Sequence, residues 1–289
     1  MNTLKMVQVF LTSIDSGSFT RAGEILGYTQ SNLTQMMRSF EDELGIPLLI
    51  KTKKGVEPTG EAKQLLPVMR AMIAQEERFF QEADEIRGIH RGMIRIGSYV
   101  STSSTWLPQV IGYYQSAYPD VEFNIVESGQ EEMLHGLVNG SLDLALMSAP
   151  ENDSVDFIPV LDDPMVVVFP PDHALSAYDY VPLGKLQDYP LIMTYREYDT
   201  DANRILLDAG LDASVKYRSA DDFAVLSMVQ HGLGISILPE LTLERFPGSY
   251  DYRMLDPESY RSLGIGIRSI KEAGPLARSV INYIKENIR

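Results

Sequence analysis

Apolar residues recur at helical spacing through the first third of the chain and at strand spacing beyond it. Over residues 4–15, Leu4, Val7, Phe10, Leu11 and Ile14 fall on one face and predict a helix. A second helical pattern opens after Ser18, whose hydroxyl suits an N-cap, and carries Phe19, Ala22, Ile25 and Leu26. Gly27-Tyr28 ends it. Thr29 is placed to cap a third helix, which sets Leu33, Met36, Met37, Phe40 and Leu44 on one face. Pro47 stops that helix, and the segments LLI and GVEP predict a short hairpin turned at Gly55. From Thr59 a long helical stretch follows, with Leu65, Met69, Met72, Phe79, Ala83 and Ile86 in an approximate heptad broken at Glu76. Pro67 within it reads as a kink.

The period changes at Met93. MIRIGS, VEFNIVES and DLALMS read as strands alternating with helices near 104–117 and 130–139, a βαβα order that implies a parallel sheet. VDFIPVL and the continuous apolar run MVVVFP follow, then LIMTY, ASVKYRS and GISILP, with helices near 199–209 and 221–231. RSLGIGIRS is the last strand segment, and residues 275–287 the last helix. Two runs of βαβ units predict an α/β region of two open-sheet subdomains. The chain would pass between them near Leu161-Asp162 and again near Ile265–Arg268. The expected domains are 1–59, a linker 60–91, and 92–289 divided into 92–161 with 268–289, and 162–267.

The polar positions give the first helices a role. Opposite the apolar face of the third helix lie Ser31, Gln35, Arg38 and Asp42, with Gln30 and Thr34 at the margin. A helix pair with a short turn, whose second member points amides, hydroxyls and an Arg outward, is the layout of a helix-turn-helix. Gln suits an adenine edge, and Arg a guanine edge or a phosphate. The candidate DNA contacts are Arg21, Thr29, Gln30, Ser31, Asn32, Thr34, Gln35 and Arg38, joined by Lys51, Lys53 and Lys54 at the hairpin tip as a phosphate-touching wing. The plainer alternative is a helical bundle with a solvated polar face.

Charge first opposes and then permits this reading. The net charge is −15. Residues 1–91 carry 11 Lys+Arg against 12 Asp+Glu, net −1, and the remainder 14 against 28, net −14. The lysines at the hairpin are the densest basic run, so binding through a local patch is compatible with the whole, and should be salt-sensitive. The absence of cysteine excludes a disulfide scaffold and a thiolate metal site. No apolar run is long enough for a membrane span or a signal peptide, so the expected location is cytoplasmic.

In the α/β region, the strand ends carry the candidate chemistry. Ser101, Thr102, Ser103 and Ser104 follow MIRIGS at a helix N-terminus, where free N–H groups favour an anion. Gln130 follows VEFNIVES, and Tyr195 and Arg196 follow LIMTY. Ser101, Thr102, Ser103, Gln130, Tyr195 and Arg196 would together line a cleft for a small carboxylate, with Arg196 holding the charged end. Each is equally readable as a cap or surface residue, and Glu131 and Glu132 favour an amine or cation instead. His90, His135, His173 and His231 are scattered, and no HExxH, GxSxG, P-loop or GxGxxG spacing appears. No catalytic residue, metal or cofactor is therefore expected. A free solute-binding protein is the other rival, disfavoured by the N-terminal region.

Residues 3–66 resemble the DNA-binding domain of LysR-type transcriptional regulators. The resemblance lies in VFLTSIDSGSFTRAGEILGYTQSNLTQ, FEDELGIPLL and KTKKGVEPTGEA, from Phe10 through Glu41 and Pro47 to Thr59 without a gap. Gly23 and Ala62 exchange the usual Ala and Gly, Met36 replaces a common Gln, and Gln35 stands where many members carry Arg. GSLDLALM, MVVVFPPDHALS and GLGISILPE are similar to the effector domains of the same family, themselves like periplasmic solute-binding proteins. The resemblance implies a winged helix-turn-helix, a long linker helix and a two-subdomain effector domain sensing a small organic acid or related metabolite. It further implies a homodimer formed through the linker helix on a dyad-symmetric duplex operator, pairs of dimers forming a tetramer, and RNA polymerase as a further partner.

Overall fold

The computed structural model describes residues 2–52, 55–87, 91–195, 200–211 and 215–288. Two compact units make up the chain, residues 1–88 with 138–141, and 89–137 with 142–289.

The first unit begins with three helices, α1 (Thr3–Asp15), α2 (Phe19–Leu26) and α3 (Gln30–Leu44). Each starts where a side chain caps free backbone N–H groups. Asn2 accepts from Lys5 N, Ser18 from Arg21 N and Thr29 from Asn32 N. Gly27 and Gly45 end α2 and α3 in the left-handed conformation. Val7, Phe10, Phe19, Ala22, Leu33, Met37, Phe40 and Leu48 form the core. Burial of each large side chain contributes roughly 1.5–3 kcal/mol. Two expected core residues stay outside. Ile25 is 63% exposed, because the stripe Phe19-Ala22-Leu26 is the one that meets α1, and Ile25 lies off it. Leu44 is exposed at the last turn of α3.

The hairpin forms from β1 (Leu49–Thr52) and β2 (Gly55–Pro58) in antiparallel register. Glu41 accepts the N–H groups of Leu48 (2.7 Å) and Leu49 (3.1 Å), which fixes the strand to α3. Gly55 is required by contact as well as by its φ of 131°. A Cβ there would stand 2.0 Å from the Gly17 carbonyl oxygen, which accepts the Val56 N–H. Gly23 has a similar reason, since a Cβ would lie 2.5 Å from the Tyr28 carbonyl oxygen at the turn. Helix α4 (Gly60–Ile86) carries Pro67 inside it and is capped by Thr59, which accepts the Ala62 N–H and donates to the Pro47 carbonyl. Its stripe divides. Met69 is buried and Leu65 and Met72 pack on the unit's own core, whereas Phe79 and Ile86 are exposed.

In the second unit, β3 (Gly92–Ser98) pairs in parallel with β4 (Val121–Glu127) and β5 (Leu144–Ser148), across α5 (Val100–Ala117) and α6 (Gln130–Asn139). Helix α5 starts ahead of the expected residue 104, so the Ser101–Ser104 run forms its first turn. The sequence reading separates VDFIPVL from MVVVFP and starts the last strand at Arg261. Instead, β6 (Asp156–Phe169) and β11 (Asp251–Ile267) are single long strands, antiparallel to each other over most of their length. The charged and proline-bearing stretch Pro159–Pro164 hides this continuity. Within it, Asp163 stands opposite Arg261 and Asp162 opposite Ser262. Leu263–Gly266 then pair with β5. There β11 keeps β6 on one edge as far as Ile267 and takes β5 on the other, so it joins the two sides of the sheet over the segment that includes Ile265 and Gly266.

Beyond this pair of strands lie β7 (Tyr180–Pro182), β8 (Leu191–Thr194), α7 (Thr200–Asp208), β9 (Val215–Ser219), α8 (Asp222–Gln230), β10 (Ser236–Pro239) and α9 (Glu240–Leu243). The main sheet runs β10-β6-β11-β5-β3-β4 with β7 on β11, and β8 and β9 form a parallel pair. The run MVVVFP is apolar throughout because both faces are covered. Met165, Val167 and Phe169 enter one core, and Val166 and Val168 another. Helix α10 (Pro275–Asn287) returns to pack Val280 and Ile284 against Ile94, Ile96 and Leu107.

Candidate DNA-reading face and effector cleft

On α3, Gln30, Ser31, Asn32, Thr34, Gln35 and Arg38 are all exposed, as are Arg21 on α2 and Thr29 at the cap. Leu33, Met37 and Phe40 hold the opposite face of the helix in the core, so the polar row is oriented by packing. Two of its hydroxyls have local partners. Thr29 caps Asn32, and Thr34 donates to the Gln30 carbonyl at 2.9 Å. Lys51 lies in β1, while Lys53 and Lys54 lie outside the described residues. Along α4 and α1, a shallow groove is lined by Leu4, Val68, Met72, Phe79 and Phe80, with Val68 60%, Phe79 68% and Phe80 57% exposed.

The second unit holds a cavity of about 380 Å³ at the carboxyl ends of its strands. Tyr99, Val100, Ser101, Glu127 and Ser128 line it from the β3–β5 side. Thr194, Asp201, Ala220, Asp221, Asp222 and Phe223 line it from the β8–β9 side, with Pro239 and Arg261 contributed by β10 and β11. Arg261 is buried. It donates through Nε (2.8 Å) and Nη2 (2.7 Å) to Asp163, and through Nη2 to Ser101 Oγ at 3.0 Å. Asp163 also accepts the Leu241 N–H at the start of α9. Burial alone would discourage the Arg261 charge, but Asp163, Asp201 and Tyr99 outweigh it and push its pKa above the ordinary Arg value. One buried ion pair therefore ties the two long strands to the helix beginning each neighbouring half.

A second contact crosses the cleft. Ser148, at the end of β5, donates to Asp201 on α7, and Arg204 donates to the same carboxylate at 2.9 Å. Burial, then the Asp201 charge, pushes the nearby Tyr99 phenol up, so it stays neutral and serves as a hydrogen-bonding group.

The six residues expected at the cleft have different fates. Ser101 is buried and lines the cavity. Thr102 is paired with Ser98 at 2.7 Å, and Ser103 donates to the Val100 carbonyl and to Glu127, so these hydroxyls serve α5 and its neighbour. Gln130 is buried and donates to the carbonyls of Ser148 (3.1 Å) and Ala149 (3.3 Å), which positions the Ser148 that meets Asp201. Tyr195 is 44% exposed and is not part of the cavity lining. Arg196 lies outside the described residues. Glu131 and Glu132 are exposed on α6 and do not line the cavity.

The groups that sequence reasoning missed are Arg261, Asp163, Asp201, Asp221 and Asp222. A signal was present for two of them. An acid pair at the first expected passage between halves, and an Arg opening the returning strand, are placed to meet if both passages lie in one ladder.

Residues 4–63 match the family described as bacterial regulatory helix-turn-helix protein, lysR family, and residues 87–289 match the LysR substrate binding domain. The HTH-type transcriptional regulator YvbU of Bacillus subtilis is 28% identical over 287 residues, covering 98% of each chain. GltR, another HTH-type transcriptional regulator of Bacillus subtilis, is 28% identical over 248 residues, 82% of this chain and 79% of its own. Two solved structures share the fold. Full-length OxyR from Pseudomonas aeruginosa aligns at a TM-score of 0.76 with 22% identity, over 97% of this chain and 93% of its own. The effector binding domain of QuiR in complex with shikimate aligns at 0.62 with 19% identity, over 69% of this chain and all of its own. With both family matches in place and the second covering most of the chain, this protein belongs to the LysR family: a transcriptional regulator joining a helix-turn-helix DNA-binding domain to an effector-binding domain.

Proposed function

We propose that the α3 face reads a duplex operator and that a small molecule bound in the cleft between the two halves of the effector domain adjusts that reading. The observation that carries the first part is the exposed row Gln30, Ser31, Asn32, Thr34, Gln35 and Arg38 on a helix whose other face is anchored in the core. Gln35 and Arg38 contact bases, Arg21 and Thr29 the sugar–phosphate backbone, and the wing lysines Lys51, Lys53 and Lys54 the phosphates. Selection of bound duplexes from a random library tests this. A single enriched sequence for the native protein, lost when Gln35 and Arg38 are both changed to Ala, is expected; retained enrichment would reassign the reader.

The cavity supports a ligand with a carboxylate. Ser101 and the uncapped start of α5 lie on one wall with Arg261 beside them, and QuiR, similar in fold, is described with shikimate. Because the cavity lies between halves joined by β6 and β11, a ligand touching both walls favours the closed arrangement and acts on DNA binding through that preference. Gln130 and Thr102 position these groups. The functional division runs near residues 59 and 91, with the linker helix between.

The exposed Val68, Phe79 and Phe80 on α4 support a homodimer through that helix, with a second copy covering the groove. Two readers then require a roughly palindromic site with half-sites about 10 bp apart, or a multiple. Sedimentation of the native protein as a dimer, and as a monomer after Phe79→Glu with Phe80→Glu, is the expected result. Family resemblance adds pairing of dimers into tetramers.

A further inference from the structure

The charge arrangement of the cavity narrows the ligand class. Of the groups that line it, Glu127, Asp201, Asp221 and Asp222 are acidic, and Arg261 is basic. The Arg261 charge is already matched by Asp163 at 2.7 Å, and Arg204 matches Asp201. A simple carboxylic acid entering this space would meet more negative than positive charge. A simple amine would leave the opposite end unanswered. Ser101 is 98% removed from solvent by its 2% exposure, and its Oγ accepts from Arg261 Nη2. That bond occupies a lone pair and leaves the hydroxyl proton to donate, since no acceptor takes it among the described residues. Tyr99 makes no side-chain cap to α5, so the first N–H groups of that helix stand next to the same hydroxyl.

The cavity therefore has two poles. One is made of donors: Ser101 Oγ–H, the start of α5 and the matched Arg261. The other is made of acceptors on the β8–β9 side: Asp201, Asp221 and Asp222, with the Phe223 ring beside them. Glu127 adds a carboxylate on the first wall, where Ser103 donates to it. We infer that the effector is a free α-amino acid. Its carboxylate is held by Ser101 and the α5 N-terminus, and its ammonium by the carboxylates of the second wall. This inference rests on the cleft being the effector site, as proposed above. An ammonium bound by Asp201 would compete with the Ser148 hydroxyl that now reaches across the cleft, replacing a direct link between halves by one through the ligand.

The test uses the full-length protein and calorimetric titration with each of the common α-amino acids. The best of them is then compared with its N-acetyl derivative, its decarboxylated amine and its deaminated acid. Binding by at least one amino acid is expected, with each derivative weakened by about tenfold or more, the effect of losing one charge-assisted contact. Asp221→Asn keeps an N-cap of equal quality on α8, so the fold is preserved, and it should weaken the amino acid without weakening the deaminated acid. If the deaminated acid binds as tightly as the amino acid, the ammonium pole is wrong and the inference falls, while the cleft remains the site. If no amino acid binds at millimolar concentration, the inference is likewise overturned. Failure of the underlying reading looks different: an amino acid or any other metabolite would bind with the same affinity to Ser101→Ala as to the native protein.

Discussion

The proposed reading face of α3 and the wall of the proposed effector cleft are both rows of polar residues at a helix surface, yet they are built in opposite ways. On α3 the row is exposed and contiguous in sequence, and it owes its direction to the apolar residues beneath it. At the start of α5 the hydroxyls turn back. Thr102, Ser103, Ser104 and Thr105 bond to Ser98, Val100 and Ser101, with Ser103 also donating to Glu127 on the same wall, and Ser101 meets Arg261 of β11. A surface that meets a large polar partner can keep its groups solvated until contact. A cavity must satisfy its groups internally, because an unpaired buried donor or acceptor costs about 1–3 kcal/mol. Substitutions should therefore cost binding on α3 and stability in the cleft.

Asp163→Ala is the largest expected effect. It leaves the buried Arg261 guanidinium without its counter-charge and the Leu241 N–H without its acceptor, at a cost of about 3–5 kcal/mol. Urea denaturation followed through Trp106, the single tryptophan and buried in the same unit, would report it. Arg38→Ala, by contrast, should change stability by no more than about 0.5 kcal/mol, because its side chain is exposed. Equal destabilisation by the two would erase the distinction between the regions.

On α3 the loss appears in DNA affinity. Gln35→Ala and Arg38→Ala should each weaken binding to the selected operator by about 1–3 kcal/mol, and weaken binding to unrelated duplex much less. Fluorescence anisotropy with both duplexes at fixed salt separates the two. A uniform loss on all sequences would turn these residues from base readers into phosphate contacts.

This contrast also explains what was legible in the sequence. Caps at Ser18 and Thr29 and the break at Gly27 are local signals, and each lies where the chain pattern puts it, while α3 ends at Gly45, just ahead of the Pro47 expected to stop it. The strands of the βαβα run were legible for the same reason. The paired course of β6 and β11 was not, because Asp163 and Arg261 stand 98 positions apart and meet only through sheet register. The division of the α4 stripe was hidden differently. Sequence shows which residues share a helix face, whereas burial of Met69 and exposure of Phe79 depend on how far the rest of its own unit extends along the helix.

Ser101→Ala and Thr102→Ala sharpen the contrast within one helix turn. Ser101→Ala removes the bond from Arg261, and Thr102→Ala the bonds with Ser98 and the Tyr99 carbonyl, at about 1 kcal/mol for each, so both melting temperatures should fall. Only Ser101 faces both the cavity and Arg261, so only Ser101→Ala should also weaken effector binding. A ligand titration that is equally weakened in both variants would return Thr102 to the binding surface.

The smallest effect concerns acid. Residues 1–88 contain no histidine, so any histidine-linked change in folding stability near pH 6 belongs to the effector unit. His173 is its best-defined contributor. The ring sits between Phe169 and Tyr189, and its Nδ1 accepts the Leu175 N–H at 3.3 Å, which caps the short 3₁₀ turn Ala174–Ala177. Partial burial lowers its pKa below the ordinary 6.5. The folded state thus prefers the neutral ring. The stability it contributes is complete above the unfolded value and is lost as pH falls through that value towards the lower folded one. Protonation of Nδ1 would also turn the acceptor into a donor facing another donor. Because the ring is only partly buried, the shift in melting temperature between pH 7.5 and 5.5 due to this group should be less than the roughly 2–4 °C that 1 kcal/mol produces in a domain of this size. His173→Asn supplies an oxygen acceptor for the Leu175 N–H that does not titrate. Calorimetric scans at the two pH values should show a smaller acid shift in this variant than in the native protein. An unchanged shift would mean that the Leu175 cap does not depend on the protonation of His173.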